Sequence, residues 1–549
     1  MKYDRNKLYL FLLFTAIAIS LTGINLDFFT DDPALYASIS KNLLYRNQLW
    51  ELFTYNQDWL DKPHFPFWAI AISFKIFGIS VWAYRLPAFL FFLLGLRYTY
   101  LFTKRYYNID IAWIATLILA TSLQVEMSNT DVRAEPYLLA LVIGSIYHIS
   151  KIENQFSFKD ILLAALLTAL AIMTKGIFVI VAIYGALAGQ LIFKRRFSDI
   201  FKLKWLVLGL ITAIFILPEL YALYIQFDLH PEKIVFGRQH VSGIKWFFWD
   251  SQFGRFVNNG PITRPSGDIL FYVHTLLWAF APWCLLFYYA IYKNIRRIIA
   301  RKHLAEYYTF SGGILLLLLF SLSGFQLPFY TNTIFPLFAI ITAPYCYEEL
   351  SKTGTIFRSF ALWVYIVAFP ALIILINYFG KPGYTPLFFV ELLIFGIAAM
   401  IICFQAQEKR LTTLFLACLT SMFANLYLNT IFNKMVIGYR AQITAANYVN
   451  QTALNQYKIY NLGTENNIFQ FYVNRQIGML YFESFDKIKS GDKVLFFANQ
   501  KTLNLLRTEH KYYTLVKAFP NYKYEQILPG FINQNTRSKV IDSVYLLSK

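Results

Sequence analysis

The sequence predicts an all-α polytopic membrane protein with a small α/β domain at its C-terminal end. Three observations support this. Hydrophobic residues make up 57% of the 549 positions and charged residues only 15%, a balance suited to lipid rather than water. The apolar residues fall into long runs, each near the roughly 20 residues that a helix needs to cross a bilayer. From about 433 the runs stop, Asn, Gln, Lys and Asp become frequent, and apolar residues alternate as they do in strands.

In chain order, about 13 transmembrane helices are expected, at 8–26, 84–103, 109–127, 134–150, 160–174, 176–193, 205–224, 268–291, 306–323, 328–346, 359–378, 384–404 and 411–431. The first run is too long for a cleaved leader, and no small-residue cleavage site precedes Asp31-Asp32. Basic residues at Lys2/Arg5/Lys7, Lys104-Arg105, Lys151/Lys159, Lys194-Arg195-Arg196, 293–302, Lys352/Arg358 and Lys409-Arg410 occupy alternate connections. The positive-inside rule makes these connections cytoplasmic, together with the N-terminus. The same pattern explains the net charge of +19, so nucleic acid is not an expected partner. The outer connections are then 27–83, 128–133, the turn near Lys175, 225–267, 324–327, 379–383 and the tail. Residues 65–79 are apolar but short and carry Lys75; counting them as a crossing would invert every later loop. They are read as a helix lying in the interface, with 33–46 as a second.

Residues 1–432 are thus a membrane domain and 433–549 a soluble one, with strands at Lys458–Leu462, Lys493–Phe497 and Tyr512–Val516 and a helix at Gln500–Arg507. The tail has neither GxGxxG nor a P-loop, so no nucleotide site is expected there; a lid or docking module is. Cys284, Cys346, Cys403 and Cys418 lie in or beside apolar runs without CxxC or Cys/His spacing, which implies neither disulfides nor structural zinc.

Four polar motifs interrupt the chain, all on the outer side: Asp31-Asp32, Asp61-Lys62-Pro63, Asp131-Val132-Arg133-Ala134-Glu135 and Gln326-Leu327-Pro328-Phe329-Tyr330. Charge at membrane depth is costly and therefore marks a functional site. Asp31-Asp32 suits a general base, because desolvation and a like-charged neighbour both raise a carboxylate pKa. Its alternative role is a cap, with Asp32 at N-cap and Pro33 at N1 of the 33–46 helix. Lys62, just before the 65–79 helix, would make a phosphate corner with that helix N-terminus. Arg255, in the long outer loop, could share the same anion, and its planar fork suits phosphate better than an ammonium does. Asp131, Arg133 and Glu135 are either mutually paired or part of the site. Lys175 either snorkels to the interface or takes part directly. His64, His240 and His274 have no metal-ligand spacing.

These residues resemble the bacterial branch of the protein O-mannosyltransferase superfamily, and most closely the aminoarabinose transferases that modify lipid A. The resemblance rests on an acidic pair after the first span (Asp31-Asp32), Asp61-Lys62-Pro63, Phe77-Gly78 followed by Arg85-Leu86-Pro87, Thr130-Asp131 and Thr174-Lys175-Gly176. It continues through the aromatic-Arg loop 247–256, Ala281-Pro282-Trp283 and Leu327-Pro328-Phe329-Tyr330. It implies a GT-C glycosyltransferase fold and a polyprenyl-phosphate (undecaprenyl-phosphate) sugar donor. It also implies transfer with inversion to an envelope acceptor: lipid A, another glycan or a protein. Asp32 would be the base, favoured by its spacing to Tyr36, with Asp31 as alternate and Asp131 beside them. Lys62, Arg255 and Tyr330 would hold the donor phosphate, and Tyr36, His64, Arg133, Glu135, Lys175 and Gln326 would line the substrate site. Three positions depart from the family pattern: His64 replaces a second Pro, Gln326 a basic residue, and Gln252 a frequent His. The expected setting is the bacterial inner membrane among its lipids, with a periplasmic C-terminal domain and a monomeric protein. No cofactor is required, although a divalent metal bridging an acid and the phosphate is left open. A lipid-linked sugar transporter or flippase, or a non-catalytic envelope assembly protein, are the alternatives; the first would show internal repeats, which the sequence lacks.

Overall fold

The computed structural model describes residues 5–264, 267–383, 385–405, 408–489, 491–524 and 526–549. Lys2, one of the basic residues used to orient the chain, lies outside them. Every predicted span is helical, but several are interrupted. The 109–127 run splits into Ile109–Ala120 and Leu123–Ser128, and the 268–291 run into Phe271–Ala279 and Cys284–Ile299 around Pro282. Pro328 opens a tight turn of 3-10 helix, Pro328–Ile334, ahead of Phe335–Tyr347. Proline removes a backbone donor and crowds the preceding turn, so an apolar run containing it need not be one straight helix. Five helices among the described residues are long and apolar enough to cross a membrane: Val81–Tyr106, Leu203–Asp228, Lys352–Gly380, Thr385–Phe404 and Lys409–Ile437. Shorter apolar helices are Phe65–Phe77, Ile109–Ala120, Val179–Phe193 and Tyr308–Leu322. The last of the five continues to Ile437, past residue 432.

Helices Glu135–Asn154 and Phe158–Lys175 pack against each other in the centre of the bundle and are buried along most of their length. Lys352–Gly380 and Thr385–Gln405 lie at the periphery and expose Leu372, Ile374, Phe389, Val390, Leu393 and Ile394. Apolar surface on that scale marks contact with lipid.

The two helices expected in the first outer loop are present as Asp31–Tyr45 and Phe65–Phe77, joined through a two-residue ladder, β1 (Phe53–Thr54) with β2 (Gln57–Asp58). The first begins earlier than the cap reading required. Thr30 occupies the N-cap and Asp31 and Asp32 the first turn, while the Thr30 hydroxyl bonds Asp131 instead of capping its own helix.

The C-terminal domain is a five-stranded mixed sheet of β3 (Lys458–Leu462), β4 (Gly478–Leu480), β5 (Val494–Asn499), β6 (Thr514–Asn521) and β7 (Asp542–Ser548), in the order β4-β3-β5-β7-β6. Three strands and the helix Gln500–Thr508 lie near their predicted places. β4 and β7 were not foreseen, and β7 inserts between β5 and β6, antiparallel to both. The domain docks on the first outer loop through the short helix Asn467–Tyr472. Tyr472 donates its hydroxyl to Asp27 (2.6 Å) and accepts from the Phe28 amide (3.1 Å).

Candidate active site

Consecutive residues of a helix point about 100° apart, and this separates the acidic pair. Asp31 turns to the C-terminal domain, where it accepts from the Asn467 amide (2.9 Å) and from Asn467 Nδ2 (2.5 Å). At the far end of the same contact the buried Lys41 ammonium donates to the carbonyls of Gln470 (3.0 Å), Phe471 (2.8 Å) and Val473 (2.8 Å). An acid at one end of the Asn467–Tyr472 helix and a cation at the other both match its dipole. Asp32 faces the membrane domain and pairs with Arg133, which also holds Asp131 at 3.2 Å. The Arg133 guanidinium lies over the Phe329 ring, 4.4 Å from its centroid. Asp32 keeps 46% of its side chain exposed, so an acceptor can reach it.

Lys62 and Arg255, distant in sequence, meet on Asp61. Lys62 Nζ lies 2.5 Å from Asp61 Oδ2, and Arg255 binds Oδ1. Burial disfavours the Asp61 charge, but Arg255 and then Lys62 outweigh it and hold the carboxyl below its usual range. Burial, with the Arg255 charge added, pushes the Lys62 ammonium down, while Asp61 and Asp32 oppose the shift. The expected helix N-terminus plays no part. Glu219 already occupies it, taking the His64 amide (3.0 Å) and His64 Nδ1 (3.0 Å), while His64 Nε2 lies 3.1 Å from the Trp50 carbonyl. His64, expected to line the substrate site, is therefore a buried strut between the loop and helix Leu203–Leu223.

Lys175 ends helix Phe158–Lys175 and pairs with the buried Glu135, with its ammonium 3.7 Å from the centroid of the Tyr330 ring. Burial pushes this ammonium down to about 8, against the pull of Glu135 and with help from the Lys62 and Arg255 charges. The turn depends on Gly176, at φ +102°, where a Cβ would collide with the Gln252 side chain. Lys175, Arg255 and Tyr330 line a cavity of about 390 Å³ whose wall is otherwise chiefly apolar, with Ile177, Val181, Phe253, Phe320 and Phe325. Gln326 does not stand in for the expected cation at the phosphate: its Nε2 goes to the Phe320 and Ser321 carbonyls. Tyr36 is buried against Phe67 and within electrostatic reach of Glu135, Asp61 and Asp32.

The structure thus gathers Asp32, Asp131 and Arg133 beside Lys62, Arg255, Lys175, Glu135, Tyr330 and Tyr36, and sets Asp31, His64 and Gln326 apart in supporting contacts. Three contributors have no role assigned from the sequence: Asp61 and Arg85 stand there only as members of motifs, and Glu219 in none. Asp61 is the acid that brings Lys62 and Arg255 together, and Glu219 holds the loop. Arg85, fully buried, donates to the carbonyls of Thr130 (2.8 Å), Ile24 (3.0 Å) and Leu26, stapling two outer turns. Glu219 had a readable signal, a lone acid inside an apolar run. Among the described residues, no three His, Cys, Asp or Glu side chains gather as a metal-ligand set. Chemically, the arrangement offers an accessible carboxylate near a cluster of cations that lines a largely apolar cavity.

Comparison with known proteins bears on the fold. Residues 61–221 match the family model of dolichyl-phosphate-mannose-protein mannosyltransferase. The crystal structure of ArnT from Cupriavidus metallidurans bound to undecaprenyl phosphate superposes with a TM-score of 0.75 at 15% identity, covering 99% of this chain and 98% of that one. The apo form gives 0.75 at 14% identity with the same coverage. The fold is therefore the GT-C fold that the motifs implied. An uncharacterized protein of Aquifex aeolicus is 24% identical over 346 residues, which is 61% of this chain and 63% of that protein, so the match spans less than two thirds of the relative.

Proposed function

We propose that this chain is an integral-membrane glycosyltransferase that takes a sugar from a polyprenyl-phosphate donor and transfers it, with inversion, to an envelope acceptor on the outer, periplasmic face. The observation that carries the reading is the lining of the cavity. Its mostly apolar wall suits a prenyl chain, and Lys175, Arg255 and Tyr330 line the same cavity, with Lys62 lining an adjoining one together with Lys175 and Arg255, so that the phosphate of such a lipid has cations to meet. Cations set in a largely apolar cavity are what this donor class requires.

In the proposed reaction, Asp32 takes the proton from the acceptor hydroxyl or phosphate as its oxygen attacks the anomeric carbon. The bond from that carbon to the phosphate oxygen breaks, and the polyprenyl phosphate leaves with its added charge facing the three cations and the Tyr330 hydroxyl. Donors aimed at charge that develops on the leaving oxygen lower the barrier. Arg133 holds Asp32 and Asp131 in place. Support for the donor class also comes from the undecaprenyl phosphate bound in the structurally similar ArnT. The inner-membrane setting rests on basic-residue placement alone, and the sugar and the acceptor within the envelope are open.

The test is to incubate purified protein with a labelled polyprenyl-phosphate sugar and an envelope extract. Release of polyprenyl phosphate together with label on an extract component supports the reading. Undiminished donor with every extract fraction, under conditions where polyprenyl phosphate itself binds, would overturn it.

A further inference from the structure

A second groove lies between helices Arg5–Leu21, Thr385–Gln405 and Lys409–Tyr427, and it shares no lining residue with the donor cavity. It encloses about 390 Å³ and is walled by apolar side chains such as Leu12, Phe395, Phe415 and Phe423. Along the first helix it extends from Leu8 to Ile19, roughly 16 Å at about 1.5 Å per residue. That is about the hydrocarbon depth of one leaflet, half of roughly 30 Å.

One acid faces this groove. Glu391 is 4% exposed, and one of its oxygens accepts from Thr430 Oγ1 at 2.5 Å. The other, Oε2, is buried without a hydrogen-bond partner among the described residues. A carboxyl oxygen left open at membrane depth is costly and calls for a donor. Lys434, one helical turn beyond Thr430 and exposed, lies within electrostatic reach of Glu391. This apolar trough is therefore lined by one acid, Glu391, with a base, Lys434, within electrostatic reach of it.

We propose that this groove is a lipid site for one phospholipid with a primary-amine headgroup. Its acyl chain fills the trough, its ammonium donates to Glu391 Oε2, and its phosphate lies next to Lys434. Charge complementarity selects this occupant. A choline headgroup has no N–H to give, and an anionic glycerol headgroup brings no cation to the carboxylate.

Native mass spectrometry of the delipidated full-length protein tests the assignment, with phosphatidylethanolamine, phosphatidylcholine and phosphatidylglycerol of identical chains. Wild type should retain one phosphatidylethanolamine with about tenfold preference over phosphatidylcholine, as a charge-assisted hydrogen bond implies. Glu391→Gln should reduce that preference to about twofold or less. Ala398→Phe, which fills the trough and leaves Glu391 intact, should abolish retention, so the result does not hang on one variant. Equal retention of the ethanolamine and choline lipids by wild type would overturn the proposal. So would a preference for phosphatidylglycerol, or a preference unchanged in Glu391→Gln.

Discussion

Replacing Lys62 and Arg255 by Ala, singly and together, tests whether the two cations serve one phosphate. Both now touch Asp61, on opposite oxygens. A charge-assisted hydrogen bond contributes about 1.5–3 kcal/mol, so each single variant should bind polyprenyl phosphate roughly tenfold to a hundredfold more weakly, at about 1.4 kcal/mol per decade. The double variant should lose less than the sum. Once Lys62 is gone, Asp61 leans wholly on Arg255, which then gives less to the ligand and has less to lose. Asp61 itself competes with the phosphate. Two unit charges about 4 Å apart interact by about 1 kcal/mol where water screens them, roughly fivefold in affinity. Neutralising this acid in Asp61→Asn should therefore tighten polyprenyl-phosphate binding severalfold without raising turnover. Isothermal titration with a short-chain polyprenyl phosphate in detergent reads all four proteins. Strictly additive losses would place the cations at separate anions. Unchanged affinity in both single variants would refute the donor site, and weaker binding by Asp61→Asn would show that the acid frames the site rather than competing for it.

Asp32→Asn should cut turnover about a hundredfold to ten-thousandfold, the usual cost of losing a general base, with polyprenyl-phosphate affinity nearly unchanged. Turnover near wild type under saturating donor would remove Asp32 from the chemistry. Asp31→Asn should cost less than about tenfold in turnover but loosen the C-terminal domain, seen as faster cleavage near residue 450 in limited proteolysis. Because the Lys175 ammonium is lowered to about 8, it is charged below that pH and neutral above it, where an exposed Lys would stay charged to about 10.4. Polyprenyl-phosphate affinity should thus fall as pH rises from 7 to 9.5, and Lys175→Met should bind more weakly and with a flat profile across the same window. For topology, a single cysteine at Asn535 should react with an impermeant thiol reagent in intact cells and one at Lys302 should not; the reverse pattern would invert the chain.

Much of the bundle was legible because lipid demands apolar segments whose backbone groups are bonded within the helix, so the apolar runs coincide with helices even where these are broken. The breaks at Thr121-Ser122 and Pro282 were harder to foresee, since a buried neighbour can satisfy the backbone groups that a kink releases. The C-terminal sheet was half legible. Alternation marked β3, β5 and β6, but β4 has only three residues and β7 is placed by pairing across the sheet rather than by local pattern. The helix N-terminus expected to bind phosphate failed for a similar reason. Its occupant, Glu219, comes from a helix some 150 residues later, and no local spacing announces such a partner.

The charged residues of the site were visible from sequence, whereas which acid pairs with which cation was not, and this has a physical cause. Acids and cations alike stood out because motifs placed them at membrane depth, and a buried cation is stable only when an acid offsets its desolvation. The pairing is set by the fold: Asp61 spans Lys62 and Arg255, Glu135 holds Lys175, and Asp32 with Asp131 holds Arg133. Four acids thus offset four cations before any donor arrives. Under the proposed function, an incoming phosphate would have to draw Lys62, Arg255 and Lys175 away from their acids, which would moderate its affinity and keep the product, also a polyprenyl phosphate, from being trapped. Asp31, lying outside this exchange and bound to Asn467, ties the first turn of the helix that carries Asp32 to the C-terminal domain. In the proposed mechanism the acid pair therefore divides its work, with one carboxylate exchanging protons and the other fixing where that exchange takes place.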